Sequence, residues 1–374
     1  MQKSMSKSRI LLASLMLLVL MGAGCAAEKK ADKKPEPAAK KVVELKVGVM
    51  VPLSGDVASY GESVKKAAQL AHKDLKASNV KLVFEDSKCS GKDAVSSINK
   101  LITVDKVSAI VGELCSGATL AAAPVAEKNK VVMVSPASTN EKVSDAGEYI
   151  FRTIPSDALQ GDFGAKLAYK KGYKKMAVVY TNEDYGKGFD KVLKEAFPKL
   201  GGKVVTSEAV ERGAVDVKAQ LTKVKAANPD VIYMISNSPK TAVAMLKQLK
   251  ELGIKVPVLA SEGLKSKDVL GGAKTAAEGM LVAVPSGGTK AYVDAYKTEY
   301  DADLGPFSAQ SYDAMMVIVK AVQAGATNGE EIKNKLYSME FDGVTGEVKF
   351  DKKGDVGGNY DLFVVKDGKF ELSK

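Results

Sequence analysis

The stretch Leu45-Lys46-Val47-Gly48-Val49-Met50-Val51-Pro52 decides the fold. It is a β-rich run of strand length closed by proline, and Glu62–Leu75 follows it with apolar residues at helical spacing. The same unit recurs outward along the chain. Val80–Glu85 reads as a strand, Ala94–Val104 as a helix, Ala109–Gly112 as a strand, Ala118–Lys128 as a helix and Val131–Val134 as a strand. The series restarts after about residue 158. Helical patterns at Gln160–Lys170, Phe189–Leu200, Val217–Ala226 and Thr241–Leu252 alternate with strand patterns at Lys175–Tyr180, Lys203–Glu208, Val231–Ile235 and Val256–Ala260.

Strands alternating with helices imply parallel sheets covered on both faces. Two such series predict an α/β protein with two similar lobes. After 280–285, helical segments are expected at 287–300, 308–323 and 329–338, then short strands at Gly346–Asp351 and Tyr360–Val365 joined by a Gly/Asp-rich turn. Ligands in open α/β sheets bind beyond the carboxyl ends of the strands. Two lobes facing each other across such edges make a hinge-closing clamp.

Upstream of Val43 the composition changes. Lys3, Lys7 and Arg9 precede the apolar run Ile10–Met21, which Ser14 alone interrupts. The run is shorter than the roughly 20 residues of a membrane-spanning helix, so residues 1–24 read as an export signal. Gly22-Ala23-Gly24-Cys25 resembles a bacterial lipobox, which makes Cys25 the expected lipidation site; the pattern has a larger aliphatic residue where this chain has Gly22. A plain signal peptide cut nearby, with Cys25 free, is the alternative. Residues 25–42 are rich in Ala, Lys, Glu and Pro. They read as a flexible tether with a reach of roughly 20–25 Å.

The 374 residues carry a formal net charge of +10, of which +4 belongs to the chain beyond the tether. No dense Arg patch and no basic–aromatic interleaving appear, which argues against nucleic acid. The single histidine, His72, sits in a helical run beside Lys73. No nucleophile elbow, phosphate loop or metal-spaced Cys/His cluster is present. A binding protein without catalysis, cofactor or metal is expected, monomeric and located in the periplasm or at the cell surface.

Val47-Gly48-Val49-Met50-Val51-Pro52-Leu53-Ser54-Gly55 followed by Tyr60-Gly61, then Glu85-Asp86, Cys89, Gly112-Glu113-Leu114-Cys115-Ser116, Ser135-Pro136-Ala137-Ser138-Thr139-Asn140, Phe151-Arg152-Thr153, Tyr185-Gly186-Lys187-Gly188, Glu262-Gly263, Ala277-Glu278-Gly279 and Ser311-Tyr312-Asp313-Ala314 carry a resemblance. In order and spacing they resemble the leucine/isoleucine/valine-binding proteins, type I periplasmic binding proteins that serve branched-chain amino acid ABC transporters. The resemblance implies three hinge crossovers, near residues 157, 285 and 352. It divides the chain into one lobe of 43–157 plus 286–352 and another of 158–285 plus 353–374. It also implies a Cys89–Cys115 disulfide, whose loop of about 27 residues is worth roughly 3–4 kcal/mol; two reduced thiols are the alternative. The implied partners are a small-molecule amino acid and ABC permease subunits, with the membrane reached through the lipid anchor alone.

A free amino acid presents a carboxylate and an ammonium a few bonds apart. The carboxylate needs hydroxyl and backbone N–H donors, ideally at a helix N-terminus. Ser116 precedes a helix and Ser138 and Thr139 follow a strand. Glu262, beyond the strand ending at Ala260 in the other series, supplies a negative partner for the ammonium. By resemblance Ser116 and Thr139 contact the zwitterion, Ser138 offers a backbone contact, Glu262 takes the ammonium, and Tyr60 and Tyr185 form pocket walls. Helix caps, turns, a solvated loop acid and surface aromatics are the competing structural readings of these positions. The leucine-binding pattern has adjacent tyrosines where this chain has Asn237 and Ser238, and a tryptophan near Phe307 that is absent here. The side-chain end of the pocket, at Asn237 and Phe307, is therefore expected to be more polar or more open. Amide, urea or aromatic-acid sensing by the same fold is the alternative function.

Overall fold

In this computed structural model residues 44–373 are described. The signal, Cys25 and the tether lie outside the described residues. The first series comprises β1 (Leu45–Val51), α1 (Ala58–Asp74), β2 (Val80–Asp86), α2 (Gly91–Lys100), β3 (Ala109–Gly112), α3 (Ser116–Lys128), β4 (Val132–Ser135) and β5 (Ile150–Arg152). The second comprises α4 (Asp157–Lys170), β6 (Lys175–Thr181), α5 (Asp184–Lys199), β7 (Lys203–Val210), α6 (Lys218–Ala226), β8 (Val231–Ile235), α7 (Pro239–Glu251), β9 (Val258–Ala260), α8 (Lys267–Ala273) and β10 (Leu281–Pro285). The last stretch adds α9 (Lys290–Tyr300), α10 (Ser308–Gln323), α11 (Gly329–Ser338), β11 (Phe341–Gly343), β12 (Gly346–Val348), β13 (Tyr360–Lys366) and β14 (Lys369–Leu372).

Two large sheets result. The first has strand order β2-β1-β3-β4-β5 and is wholly parallel, with Val47 level with Leu82 on one side and Ala109 on the other. The second has order β14-β13-β10-β9-β8-β6-β7; β13 runs antiparallel to β10, and β14 to β13. Val47, Val49, Met50 and Val51 are fully buried. Each contributes about 1.5–3 kcal/mol of hydrophobic stabilisation, as a centre strand covered on both faces requires.

The chain passes between the sheets three times. It leaves β5 for α4, which packs with Tyr233 and Phe189 on the second sheet; it returns after β10 to α10 and α11, whose apolar faces join the first core; and it leaves again after Phe350 for β13. Gly346–Asp351 and Tyr360–Val365 are not partners. β12 forms a hairpin with β11, and β13 extends the second sheet.

Candidate functional site

Both lobes place an aromatic residue at the cleft by the same device. After β1, the α1 backbone closes so tightly on the strand end that a Cβ at Gly61 would lie 1.7 Å from the Pro52 carbonyl oxygen. After β6, a Cβ at Gly186 would lie 2.1 Å from the Thr181 oxygen. Only glycine permits such approach, and the preceding residue in each case, Tyr60 and Tyr185, is turned inward and buried.

Tyr60, Tyr185, Ser116, Asn237, Glu262 and Phe307 line one narrow cavity, together with Leu114, Cys115 and Ala137. Ser116 opens α3, whose leading amides are the ones a helix leaves unpaired. Phe307 has φ of +60°, a strained conformation for a bulky residue. It caps α10 and sets its ring edge-on to Tyr60, with centroids 5.9 Å apart. A second cavity shares Glu262 and Phe307 with the first and continues past Lys265, Ser308 and Gln310.

Ser138 and Thr139 do not line the cavity. The Ser138 hydroxyl is turned into the first lobe, against Thr119 Oγ1 at 2.6 Å and the Glu113 carbonyl at 3.1 Å, so it secures the loop from beneath. Ala137 takes the lining position instead. The Thr139 hydroxyl is buried with no partner among the described residues, while its carbonyl accepts from the Asp157 amide at 2.7 Å.

The negative pole lies in the second lobe. Glu262 sits on a short turn after β9 and accepts from Gln160 Nε2 at 2.7 Å; that nitrogen also donates to the Ala283 carbonyl at 3.0 Å. Burial pushes the Glu262 carboxyl above its ordinary range. Asp157, at the first turn of α4, is completely buried, and neither of its carboxyl oxygens has a partner among the described residues. Burial first, and then the Glu262 charge, raise it well above the usual carboxylate range. Tyr233 Oη and Ser261 Oγ are likewise buried, and the Tyr185 hydroxyl faces Glu262, so hydroxyls surround the two carboxyl groups. Asp157 and Gln160 are not among the expected site residues: the periodicity starts a helix at Gln160 and the resemblance places only a crossover near 157, whereas α4 begins at Asp157, with Ser156 capping Ala158.

Cys89 and Cys115 are disulfide-bonded, with Cα atoms 5.4 Å apart, and Cys115 forms part of the cavity wall. Glu113 lies beneath, accepting from Ser87 Oγ at 2.5 Å and from the Cys115 amide, and burial raises its pKa to about 7. His72 bonds the Val80 carbonyl at 2.7 Å, far from these groups in the fold. The described residues hold no metal-binding cluster and no helix long and apolar enough to cross a membrane.

The lobes touch across the cleft. Tyr60 Oη donates to the Gly263 carbonyl at 2.7 Å and Ser59 Oγ to Asp268 at 2.7 Å. Arg212 reaches Asp56 at 2.8 Å and the Cys89 carbonyl at 2.9 Å, and Asn140 Nδ2 reaches the Asp184 carbonyl at 2.6 Å.

Two Rossmann-like lobes meeting over a polar cavity define a solute-binding protein of the type I periplasmic class. The family model described as "Periplasmic binding protein" matches residues 44–369, and the chain belongs to that family. It is 31% identical to a leucine-, isoleucine-, valine-, threonine- and alanine-binding protein of Pseudomonas aeruginosa over 86% of this chain and 89% of that one. A leucine-binding protein of Thermotoga maritima superimposes with a TM-score of 0.82 at 30% identity, covering 88% of this chain and 98% of its own. A branched-chain amino acid transporter substrate-binding protein of Streptococcus pneumoniae, solved with isoleucine, gives a TM-score of 0.81 at 28% identity and covers 88% and 99%. These relatives are binding proteins rather than enzymes.

Proposed function

We propose that this protein captures an α-amino acid between its lobes and delivers it to an ABC importer. One observation carries the reading. Glu262, a buried carboxylate from the second lobe, faces the same cavity as Ser116 at the N-terminus of α3 in the first. The ammonium pairs with Glu262, and the carboxylate takes Ser116 Oγ and the leading amides of α3. Each lobe binds one charge, so the closed form alone satisfies both, and the ligand favours closure by that difference. Leu114, Ala137, Tyr60, Tyr185 and Phe307 enclose the side chain, with Asn237 at its polar end. Thr139 supports the zwitterion from beneath, and Ser138 holds the loop.

The crossovers near 157, 285 and 352 act as hinges between lobes 43–157 plus 286–352 and 158–285 plus 353–374. Cys25 carries the lipid that holds the protein, as a monomer, outside the cytoplasm beside its permease. The relatives' branched-chain ligands favour an aliphatic or similarly sized amino acid.

A thermal-shift panel of the twenty amino acids, urea, short amides and aromatic acids, on protein refolded to strip carried-over ligand, tests this. Ligand at about 100-fold over its Kd adds roughly 2.7 kcal/mol of stability. A shift with one or a few α-amino acids supports the reading, and a shift confined to amides or aromatic acids overturns it.

A further inference from the structure

The acid at the ammonium pole is not alone. Asp157 and Gln160 occupy neighbouring positions one turn apart on α4, and Gln160 bonds Glu262 at 2.7 Å, so the helix brings the two carboxyl groups into one chamber. Asp157 is fully buried and Glu262 is 5% exposed.

Among the described residues no cation pairs with either carboxyl group. Arg152 acts on Asp157 only through its charge, and its guanidinium hydrogen bonds are made elsewhere. It bonds Asp355 at 2.7 and 2.9 Å, Ser144 Oγ at 2.6 Å, and the carbonyls of Asn140 and Ser138 at 3.0 and 3.3 Å. Lys265, beside Glu262 in the second cavity, lies over the Phe363 ring at 4.2 Å and near Asp361. Glu141 adds negative charge from the first lobe. Tyr185, Tyr233 and Tyr360 contribute neutral hydroxyls that burial holds neutral.

Two buried carboxylates without a cation cannot both ionise at modest cost. We infer that Asp157 and Glu262 hold one proton between them in the ligand-free protein and release it when the ammonium of an α-amino acid arrives. The inference rests on the ammonium site described above and assigns Asp157 as its second acid. The step balances: one carboxyl O–H bond breaks, the proton passes to solvent, and the carboxylate left behind pairs with the ammonium, with no change of oxidation state. The raised pKa values of both groups agree with it. The proton also sets ligand class, because an uncharged amide or an aromatic acid brings no cation and leaves the pair protonated. The sign follows. Binding that expels a proton strengthens with pH below the pair's apparent pKa, about tenfold per pH unit, and levels off above it.

The test is isothermal titration of the purified protein with L-leucine, L-isoleucine and L-alanine in phosphate, HEPES and Tris at matched pH, repeated between about pH 5.5 and 8. The expected result is an enthalpy that varies linearly with buffer ionisation enthalpy, with a slope of about one proton released per ligand at the acid end. In Asp157→Asn protein the slope falls towards zero. Binding with no buffer dependence in the wild type at any of these pH values overturns the inference and leaves the ammonium site standing, as does an unchanged slope in the variant. The wild-type measurement does not depend on whether the variant folds. Absence of binding by any α-amino acid removes the site assignment, and the proton release falls with it.

Discussion

The hydroxyl of Tyr60, on the first lobe, donates a 2.7 Å hydrogen bond to the carbonyl of Gly263, on the second, next to Glu262 in sequence. A cavity-lining side chain and the turn that carries Glu262 are thereby joined across the cleft. In the proposed hinge motion, opening breaks this bond and closing removes both groups from water.

Tyr60→Phe keeps the ring against Phe307 and leaves the Gly263 carbonyl buried without its donor. That penalty, about 1–2 kcal/mol, falls on the closed form, so ligand affinity drops roughly five- to thirtyfold. Calorimetric titration of the variant checks this. Unchanged affinity would mean that the bond does not form part of the ligand-bound state.

Glu262→Gln removes the formal charge that meets the ammonium while keeping the shape of the turn. Charge-assisted hydrogen bonds are about twice as strong as neutral ones. Amino-acid affinity is therefore expected to fall by more than tenfold, measured against wild type under one buffer condition. A variant that binds equally well would take Glu262 out of the site.

The Cys89–Cys115 bridge spans a sequence separation of 26 residues. Replacing both cysteines by serine is expected to lower stability to urea unfolding by roughly 3 kcal/mol through the freed unfolded chain. Because Cys115 also walls the cavity, ligand affinity should fall as well. Thiol counting on unreduced, denatured protein should find the pair unreactive, and two titratable thiols there would refute the bridge in the native protein.

Glu113 gives a pH signature. Its pKa in the folded protein is raised to about 7 by burial, against an ordinary value of 4.5. Between those values the folded form holds more protons than the unfolded, so stability falls as pH rises through that window. Asp157 and Glu262 act in the same direction, so the comparison is differential. Glu113→Gln should show a shallower loss of Tm between about pH 4.5 and 7 than wild type. Parallel Tm profiles would show that Glu113 is not protonated in the fold.

The sheet-and-helix plan was legible because short apolar runs alternate with helix-length segments along both series; the expected helices at 308–323 and 329–338 coincide with α10 and α11. β5 was not legible. It is three residues long, and its Arg152 is buried against Asp355 from the last crossover. Such a pairing across the sequence leaves no local trace. The same holds for the site. Glu262 stands out by its position after a strand, whereas Tyr60 and Tyr185 are expected only through the family resemblance. Asp157 falls at an expected crossover, ahead of the helical periodicity, and Ala137 offers the cavity no polar side chain to notice. Ser138, expected to offer a backbone contact, turns its hydroxyl inward to Thr119 and the Glu113 carbonyl. Side-chain chemistry is visible in sequence; the direction in which a loop turns it is set by packing.

The central claim is that the two charges of an α-amino acid are divided between the lobes. The most direct measurement is calorimetric titration of the refolded protein with L-leucine, with 4-methylpentanoate, which lacks the ammonium, and with 3-methylbutylamine, which lacks the carboxylate. Saturable binding of leucine, with each truncated compound weaker by about a hundredfold or more, is the predicted result, since a lost charge leaves its buried partner unpaired. Binding of 4-methylpentanoate as tight as that of leucine would contradict the account.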